Sequence, residues 1–279
     1  MVENVPVLRH KHADMTIEGY SRGAVQTAFR VPELKFGFDL GIQPWDFMGT
    51  PTFMVSHAHM DHIAALPAYV SRRRMMKMSP PVIFVPDSAV DACEALLRVM
   101  QRLDRGPLPC DIIGVRDGDE LELSRELVAD VVETRHTIPS VGYIVYQRRK
   151  KLKPEYLSLS GEQIRELKEK GVEITTETRI PLIGFTGDTS PPGLDNNPEF
   201  YKAKILITEL TFVAPDHRPS VIHKRGHIHL DDIVRRQDRF ENELVILSHF
   251  STRYGDEQIR RMVKKRMPNM IDGRAKLWL

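Results

Sequence analysis

Hydrophobic residues in this chain occur in short runs, most of which stop abruptly at a polar or charged residue. In Leu34–Leu40 apolar and polar side chains alternate, and this period-two pattern predicts a half-buried strand. The runs at 51–55 and 81–86 do not alternate, which is typical of buried strands. Together the short runs predict strands within 15–41 and at 51–55, 81–86, 111–115, 120–123, 127–133, 141–146, 182–186, 204–209 and 244–248.

Segments with helical periodicity separate these strands. Helices are expected at 63–78, from Asp87 or Ser88 to about Arg102, at 160–170 and at 256–266. Ser160 and Gln163 have the spacing of a capping box, in which each side chain bonds the backbone N–H of the other residue. The first half of the chain is strand-rich, the second half alternates strands with helices, and no repeat or linker interrupts them. We therefore expect one α+β domain over residues 1–279.

The densest cluster of metal-ligand side chains directly follows the predicted strand at 51–55. It consists of His57, His59, Asp61 and His62. His57 and His59 can face one point, and Asp61 and His62 can face a second point nearby. Neutral imidazoles and carboxylates are the ligands that zinc and related divalent ions favour. The alternative is a histidine-rich surface turn without a metal.

Four later strands also end in ligand-type residues, which are His136, Asp188, Glu209 and His249. Each alone could be a turn residue or a hydrogen-bonded polar group, but the same arrangement at five strand ends favours a shared site. The histidines and aspartates of this set number seven, too many for one tetrahedral zinc ion. They suit two metals bridged by one carboxylate and a water-derived hydroxide, an arrangement that can hydrolyse a phosphodiester.

Amino-acid composition limits the kinds of protein to which this chain can belong. Of the 279 residues, 41% are hydrophobic and 28% are charged, as in ordinary globular domains. The 40 basic and 38 acidic residues leave a net charge of +2, so any nucleic-acid-binding patch must be local. Cys93 and Cys110 stand apart from each other and from the histidine motifs, which suits a reducing compartment. Residues 1–15 are polar and no segment suits a signal peptide or a membrane span, so we expect the cytosol, or the nucleus of a eukaryote.

Several short motifs carry a resemblance to a known family. They are Gly19-Tyr20-Ser21, His57 to His62, His136-Thr137-Ile138-Pro139-Ser140-Val141-Gly142-Tyr143, Gly187-Asp188-Thr189, Ile207-Thr208-Glu209-Leu210-Thr211-Phe212, Gly226-His227-Ile228-His229 and Ser248-His249-Phe250-Ser251-Thr252-Arg253-Tyr254. Through them nearly the whole chain resembles the metallo-β-lactamase superfamily and, within it, the tRNase Z endonucleases, above all their short plant-type form. The resemblance implies an αββα sandwich, two packed mixed sheets flanked by helices, with the metals at one edge.

The resemblance also implies how the ligands divide between two metals. One metal would be held by His57, His59 and His136, and the other by Asp61, His62 and His249, with Asp188 as the bridge. The implied metal is zinc, two ions per chain, with Mn²⁺ or Fe²⁺ as alternatives. Asp61 would in addition orient the hydroxide that attacks the phosphorus.

Glu209 and His227 match a carboxylate–imidazole pair that the family places beside its metals. The carboxylate would orient and charge the imidazole, which could then protonate the departing 3′-oxygen. The alternative for Glu209 is a structural acid at a strand end. His227 and His229 also form a second His-x-His pair. Since no apolar strand precedes this pair, we expect His229 to cap or flank the following helix instead of binding a separate metal.

The chain departs from its bacterial relatives in one region. Those relatives carry a long arm, between the motifs of His136 and Asp188, that grips the tRNA elbow, whereas here the two residues are only 52 positions apart. Any arm must therefore be short, and we assign it to residues 147–180. Its basic part would contact RNA through Arg148, Arg149, Lys150, Lys151 and Lys153. The alternative is an ordinary solvated face.

Three functions remain open at this point. The leading hypothesis is a dinuclear zinc endoribonuclease that removes 3′ trailers from precursor tRNA and, by family resemblance, forms a homodimer without a membrane partner. A phosphodiesterase or other small-molecule hydrolase of the same superfamily is the second. An RNA-binding protein with a vestigial site is the third, and the intact ligand set argues against it. Fold alone cannot choose among these.

Overall fold

Two β-sheets packed face to face form the centre of the structure, a computed structural model that describes residues 7–215 and 218–279. In this described part of the chain, each sheet has seven strands. The strands are β1 (Leu8–His12), β2 (Met15–Arg22), β3 (Gln26–Val31), β4 (Phe36–Phe38), β5 (Thr52–Met54), β6 (Val82–Pro86), β7 (Asp111–Val115), β8 (Glu120–Ser124), β9 (Leu127–Glu133), β10 (Val141–Leu152), β11 (Thr175–Phe185), β12 (Ile205–Glu209), β13 (Leu244–Ser248) and β14 (Ala275–Leu277). The helices are α1 (Met60–Ile63), α2 (Leu66–Met75), α3 (Val90–Asp104), α4 (Gly161–Glu169), α5 (Pro191–Asp195), α6 (Pro219–Lys224), α7 (Leu230–Arg236), α8 (Asp256–Arg266) and α9 (Pro268–Gly273).

Each half of the chain builds one sheet, and both sheets follow the same plan. Strands β1 to β7 lie side by side in chain order, with antiparallel pairs up to β4 and parallel pairs from β4 to β7. Strands β8 to β14 do the same, with antiparallel pairs up to β11 and parallel pairs after it. In the second sheet β9, β11, β12 and β13 therefore run in one direction, so their carboxyl ends share one edge.

Apolar side chains form three layers, as expected for an αββα sandwich. The layer between the sheets contains Phe29, Phe38 and Phe185, and the rings of Phe38 and Phe185 stack with centroids 4.6 Å apart. A second layer joins the outer face of the first sheet to α2 and α3, and a third joins the second sheet to α7 and α8. Burial on both faces of both sheets supplies the main stabilisation of the fold. The predicted fold class is confirmed.

Three predictions that each concern a single strand or helix are confirmed. The strand at 244–248 and the helix at 256–266 form with the predicted bounds. The capping box of α4 is also confirmed, since the hydroxyl of Ser160 accepts from the backbone of Gln163 and the Gln163 side chain bonds the Ser160 backbone. The helix predicted at 63–78 forms only over Leu66–Met75, as α2, because Pro67 lies in its first turn and starts a new helix there. Ile63 is the last residue of the separate helix α1.

The strand predicted at Leu34–Leu40 is wrong in extent and in burial. Pro32–Leu34 forms a 3₁₀ turn and Lys35 takes a left-handed conformation, so only Phe36–Phe38 is a strand. All three of its residues are buried, because β4 lies between β3 and β5 with apolar layers on both faces. The alternating pattern therefore misidentified a fully buried strand as a half-buried one.

The end of the strand predicted at 141–146 is also wrong. β10 continues through the basic run to Leu152, because residues 147–152 pair with 175–180 of β11 in an antiparallel ribbon. We call residues 147–180, which include this ribbon and α4, the distal segment. None of the α4 side chains is buried.

The structure describes the polar N-terminal stretch from residue 7 onward. Within the polar stretch at 1–15, residues 8–12 form the edge strand β1, and residues 1–6 lie outside the described part of the chain. No helix in the described residues is long and apolar enough to cross a membrane.

Candidate metal centre

The turn after β5 separates the first four ligand-type residues into two pairs. The chain leaves β5 through Val55 and Ser56, and His57 follows fully buried. His59 is the N-cap of α1, so Asp61 and His62 lie on the first helical turn. The extended backbone before the cap and the helical backbone after it direct the two pairs to neighbouring points.

The first point is a cluster of three imidazole nitrogens. Nδ1 of His59 lies 3.1 Å from Nε2 of His57 and 3.0 Å from Nε2 of His136. Zinc–nitrogen bonds are about 2.0–2.1 Å long, so ligand nitrogens around a tetrahedral zinc ion are about 3.3 Å apart. Both distances are within a few tenths of an ångström of that spacing. They fit one metal ion.

The second point is formed by Asp61, His62 and His249. Nε2 of His249 lies 3.3 Å from Nε2 of His62 and 3.4 Å from Oδ2 of Asp61. Oδ2 of Asp188 lies 3.3 Å from His249, 3.5 Å from His62 and 3.9 Å from His57. Asp188 therefore contacts members of both clusters, as a bridging carboxylate must.

The outer nitrogens of two ligands face groups that can only accept a proton. Nδ1 of His62 donates to Oδ2 of Asp39 over 2.7 Å, and Nδ1 of His136 donates to the carbonyl of Gly226 over 2.9 Å. Each Nε2 then faces the clusters, the orientation that a metal ligand needs. His57 and His249 instead face hydroxyls, from Ser56 at 3.0 Å and Thr211 at 3.1 Å.

Glycine is required at two places where backbone passes close to these ligands. Gly226 has φ of +70°, and a Cβ there would lie 2.5 Å from Nδ1 of His136. Gly187 has φ of +55°, and a Cβ there would lie 2.3 Å from Cβ of Ser56. Any other residue would be strained and would displace a ligand or its support.

Charge differs between the two clusters. Burial lowers the pKa of His57, His59 and His136, which keeps the first cluster neutral near pH 7. Burial also opposes the charge on His62, but the carboxylates of Asp188 and Asp39 raise its pKa well above the usual value. Burial opposes ionisation of Asp188 in turn, and the nearby His249 and His62 hold its pKa well below the usual range. The second cluster thus contains ionised carboxylates suited to a cation.

Glu209 and His227 lie beside the clusters as a hydrogen-bonded pair. Nδ1 of His227 donates to the two carboxylate oxygens over 3.1 and 3.2 Å. Burial lowers the pKa of His227, but Glu209 outweighs it and raises the pKa to about 9. The backbone N–H groups of Thr189 and Ile228 and the hydroxyl of Thr211 also donate to Glu209, at 2.6, 3.1 and 2.5 Å. Four donors hold this carboxylate in one orientation.

The structure brings together all seven predicted ligands. His229 lies apart from them and caps α7 by accepting from the backbone of Asp231. Among the described residues, no cluster of metal-ligand atoms includes His229. Asp39 was missed, although it is fully buried, bonds His62 and accepts from the backbone and hydroxyl of Ser56. Its position directly after β4, a strand end like the others, was the signal that could have found it.

The predicted RNA-binding residues lie in the distal segment, and two of them are paired with carboxylates. Arg148 bonds Glu122, and Nζ of Lys150 lies 3.8 Å from Glu177. Arg149 donates to the side chain of Gln147. Lys151 is exposed and Lys153 is half-buried, and within the described ranges neither has a carboxylate within ion-pair distance.

Two plant proteins are similar to this chain over most of its length. tRNase Z TRZ1 of Arabidopsis thaliana is 40% identical over 263 residues, which cover 93% of this chain and 93% of the relative. The chloroplastic tRNase Z TRZ2 of the same plant is 39% identical over 251 residues, covering 89% of this chain and 71% of the relative. No protein-family model matches the chain.

Solved structures share the fold at low sequence identity. The short form of human tRNase Z, ELAC1, aligns with a TM-score of 0.52 and 17% identity over 90% of this chain and 89% of that protein. The metallo-β-lactamase fold protein YhfI of Bacillus subtilis aligns with a TM-score of 0.60 and 14% identity over 92% of this chain and 93% of that one. The sandwich described above is therefore a metallo-β-lactamase fold.

Proposed function

The chain belongs to the tRNase Z family, and on this basis we propose that it is a dinuclear zinc endoribonuclease that removes 3′ trailers from precursor tRNA. One observation carries the proposal, namely that seven histidine and aspartate side chains converge as two clusters joined by Asp188. This donor set suits zinc, with Mn²⁺ or Fe²⁺ as alternatives. Bound metal would supply positive charge at a phosphoryl oxygen and lower the pKa of a coordinated water.

Two side chains of the protein are proposed to carry out the remaining steps, which are orienting the attacking oxygen and protonating the leaving oxygen. Asp61 accepts from the backbone N–H of Ala24 over 2.9 Å, which holds its carboxylate at the second cluster, where it can orient the attacking oxygen. His227 keeps a proton on Nδ1 for Glu209, so its Nε2 is the nitrogen that can deliver a proton to the leaving 3′-oxygen. Both roles are proposed from the hydrogen bonds that orient these two side chains.

The distal segment is proposed as the RNA contact. Its exposed ribbon carries Arg149 and Lys151, with Lys153 at its end, and these are the members of the basic run that are not neutralised by a carboxylate in the described structure. Positive charge that is not paired with a carboxylate is available to a phosphate. Arg148 and Lys150 contribute less, because each already has an acidic partner.

The proposed oligomer is a homodimer in which a second copy covers exposed apolar side chains of α2 and α3. Leu103 and Val99 of α3 and Met75 of α2 are 73%, 52% and 69% exposed, and an ion pair of 3.0 Å between Arg74 and Asp104 links the two helices beside them. Light scattering should show a dimer that Leu103→Asp dissociates. Leu157→Asp, at an equally exposed leucine of the distal segment, should not dissociate it.

The cellular compartment of the protein, the cytosol or the nucleus, stays a prediction.

The function is tested with a precursor tRNA that carries a 3′ extension. Zinc-loaded protein should cut it at the junction between the tRNA body and the trailer, and sequencing of the product ends locates the cut. A small phosphodiester such as bis-nitrophenyl phosphate is assayed beside it. Hydrolysis of the small ester alone would identify a small-molecule phosphodiesterase, and RNA binding without hydrolysis of either would identify an RNA-binding protein.

A further inference from the structure

The hydroxyl of Thr211 lies between the two functional halves of the site. Thr211 follows β12 and is 4% exposed. Its Oγ1 lies 2.5 Å from Oε2 of Glu209 and 3.1 Å from Nδ1 of His249. One neighbour belongs to the proposed acid pair and the other to the second metal cluster.

The directions of the hydrogen bonds that join Thr211 to Glu209 and to His249 follow from the single proton that the Thr211 hydroxyl carries. A carboxylate with four hydrogen-bond donors around it accepts only, so the single proton of the Thr211 hydroxyl goes to Glu209. The contact with His249 must then run the other way, from its Nδ1–H to the Thr211 oxygen. A hydroxyl that donates to an anion is also a better acceptor, because the two bonds polarise each other.

We propose that Thr211 is a positioning residue that fixes the tautomer of His249 and ties this ligand to Glu209. With the proton on Nδ1, the lone pair of Nε2 faces His62, Asp61 and Asp188, where the second metal is proposed to bind. The metal half and the acid half of the site then form one hydrogen-bonded unit, His249 to Thr211 to Glu209, with His227 donating to the same carboxylate. This inference rests on the proposed two-metal function.

The backbone holds Thr211 in the position that this role requires. Its carbonyl accepts from the backbone N–H of Ser251 over 3.0 Å, which joins it to the loop that carries His249. The next residue, Phe212, forms a β-bridge with His229, which joins it to the loop that carries His227. A β-branched side chain is also stiff about its first dihedral angle, so the hydroxyl stays between its two partners.

The matched variants separate the hydroxyl from the packing around it. Thr211→Val keeps the shape of the side chain and removes the hydroxyl, whereas Thr211→Ser keeps the hydroxyl. Thr211→Ala also removes the hydroxyl and replaces Thr211→Val in the test if the valine variant does not fold. Thr208→Val is the control, because Thr208 is as deeply buried and its hydroxyl bonds Thr186, which is not a ligand. Zinc affinity is measured by competition with a chromogenic chelator, which gives two dissociation constants for a two-metal protein.

Loss of a group that orients a ligand typically weakens metal binding about 10–100-fold. Thr211→Val and Thr211→Ala should therefore raise one zinc dissociation constant by this factor and leave the other unchanged, whereas Thr211→Ser and Thr208→Val should keep both. Two unchanged constants in a folded Thr211→Val or Thr211→Ala protein would overturn the role of Thr211 alone. A wild-type protein that never binds a second ion would overturn the two-metal function, and this inference with it.

Discussion

The metal centre and the distal segment are built by opposite means. In the centre, buried side chains from both halves of the chain meet, and the outer nitrogens of His57, His62, His136 and His249 each have a protein partner. In the distal segment, a local ribbon and a capped helix carry exposed charges, and no α4 side chain is buried. Geometry in the centre depends on packing between the two halves of the chain, whereas geometry in the segment depends mainly on pairing within residues 147–180.

This difference predicts how far the effect of a substitution should spread. A change at the centre removes a partner from several side chains at once, so metal binding and catalysis should fall together. A change in the distal segment should affect RNA and leave the metals alone. The following predictions test this separation, from the largest expected effect to the smallest.

Asp188→Ala should have the largest effect, because Asp188 contacts both clusters. We expect zinc content to fall and activity to drop about 10³-fold or more, since charge stabilisation by metals contributes several kcal/mol. His59→Ala should also lower zinc content and activity, through the first cluster. Metal analysis and rate measurement test this, with Asp130→Ala on β9 as the control. Two zinc ions retained by Asp188→Ala would contradict the bridging role.

His227→Ala should separate proton delivery from metal binding. We expect zinc content to be unchanged and cleavage of precursor tRNA to fall about 10²–10⁴-fold, the usual contribution of general acid catalysis. A nitrophenyl phosphodiester should lose far less rate, because its leaving group is already a weak base. His223→Ala is the matched control, since His223 pairs with Asp232 on the neighbouring helix. An equal loss on both substrates with zinc intact would exclude His227 as the acid.

Neutralising the unpaired charges of the distal segment should weaken RNA processing alone. For Lys151→Gln with Lys153→Gln, we expect weaker tRNA cleavage and a smaller salt dependence, by about 0.7–0.9 in the log–log slope for each phosphate that the variant no longer neutralises. Hydrolysis of the small phosphodiester should not change. Lys264→Gln with Lys265→Gln on α8 removes the same charge elsewhere. If this control gave the same loss, total charge rather than the segment would be responsible.

Ser160→Ala should have the smallest effect and a local one. Loss of the cap should destabilise α4 by about 1 kcal/mol. Hydrogen exchange should accelerate within 160–170 while zinc content and small-substrate hydrolysis stay at wild-type values. Ser158→Ala, two positions before the cap, is the control. Loss of zinc in Ser160→Ala would show that the segment and the centre are coupled.

The convergence of the seven candidate ligands could be predicted from sequence because they follow recognisable strands, and parallel strand ends share an edge. Asp39 was missed, since the alternating pattern at 34–40 assigned it to a solvent face that is in fact covered. The partners of the basic run were missed for a similar reason. Glu177 lies opposite Lys150 on the neighbouring strand, and this pairing exists only because β10 continues beyond residue 146. In both cases a residue distant in sequence decides the environment.

The order of the ligands along the chain also sets when the centre can form during protein synthesis. His57 to His62 emerge from the ribosome early, but the first cluster cannot close before His136 is made, and the second cannot close before His249. His136 and His249 are 113 positions apart, which corresponds to about 6–23 s at common elongation rates of about 5–20 residues per second. A nascent chain therefore passes through a period in which only one cluster can be complete. On the proposed two-metal function, activity toward RNA begins only once the second sheet has been synthesised as far as His249 and has docked on the first.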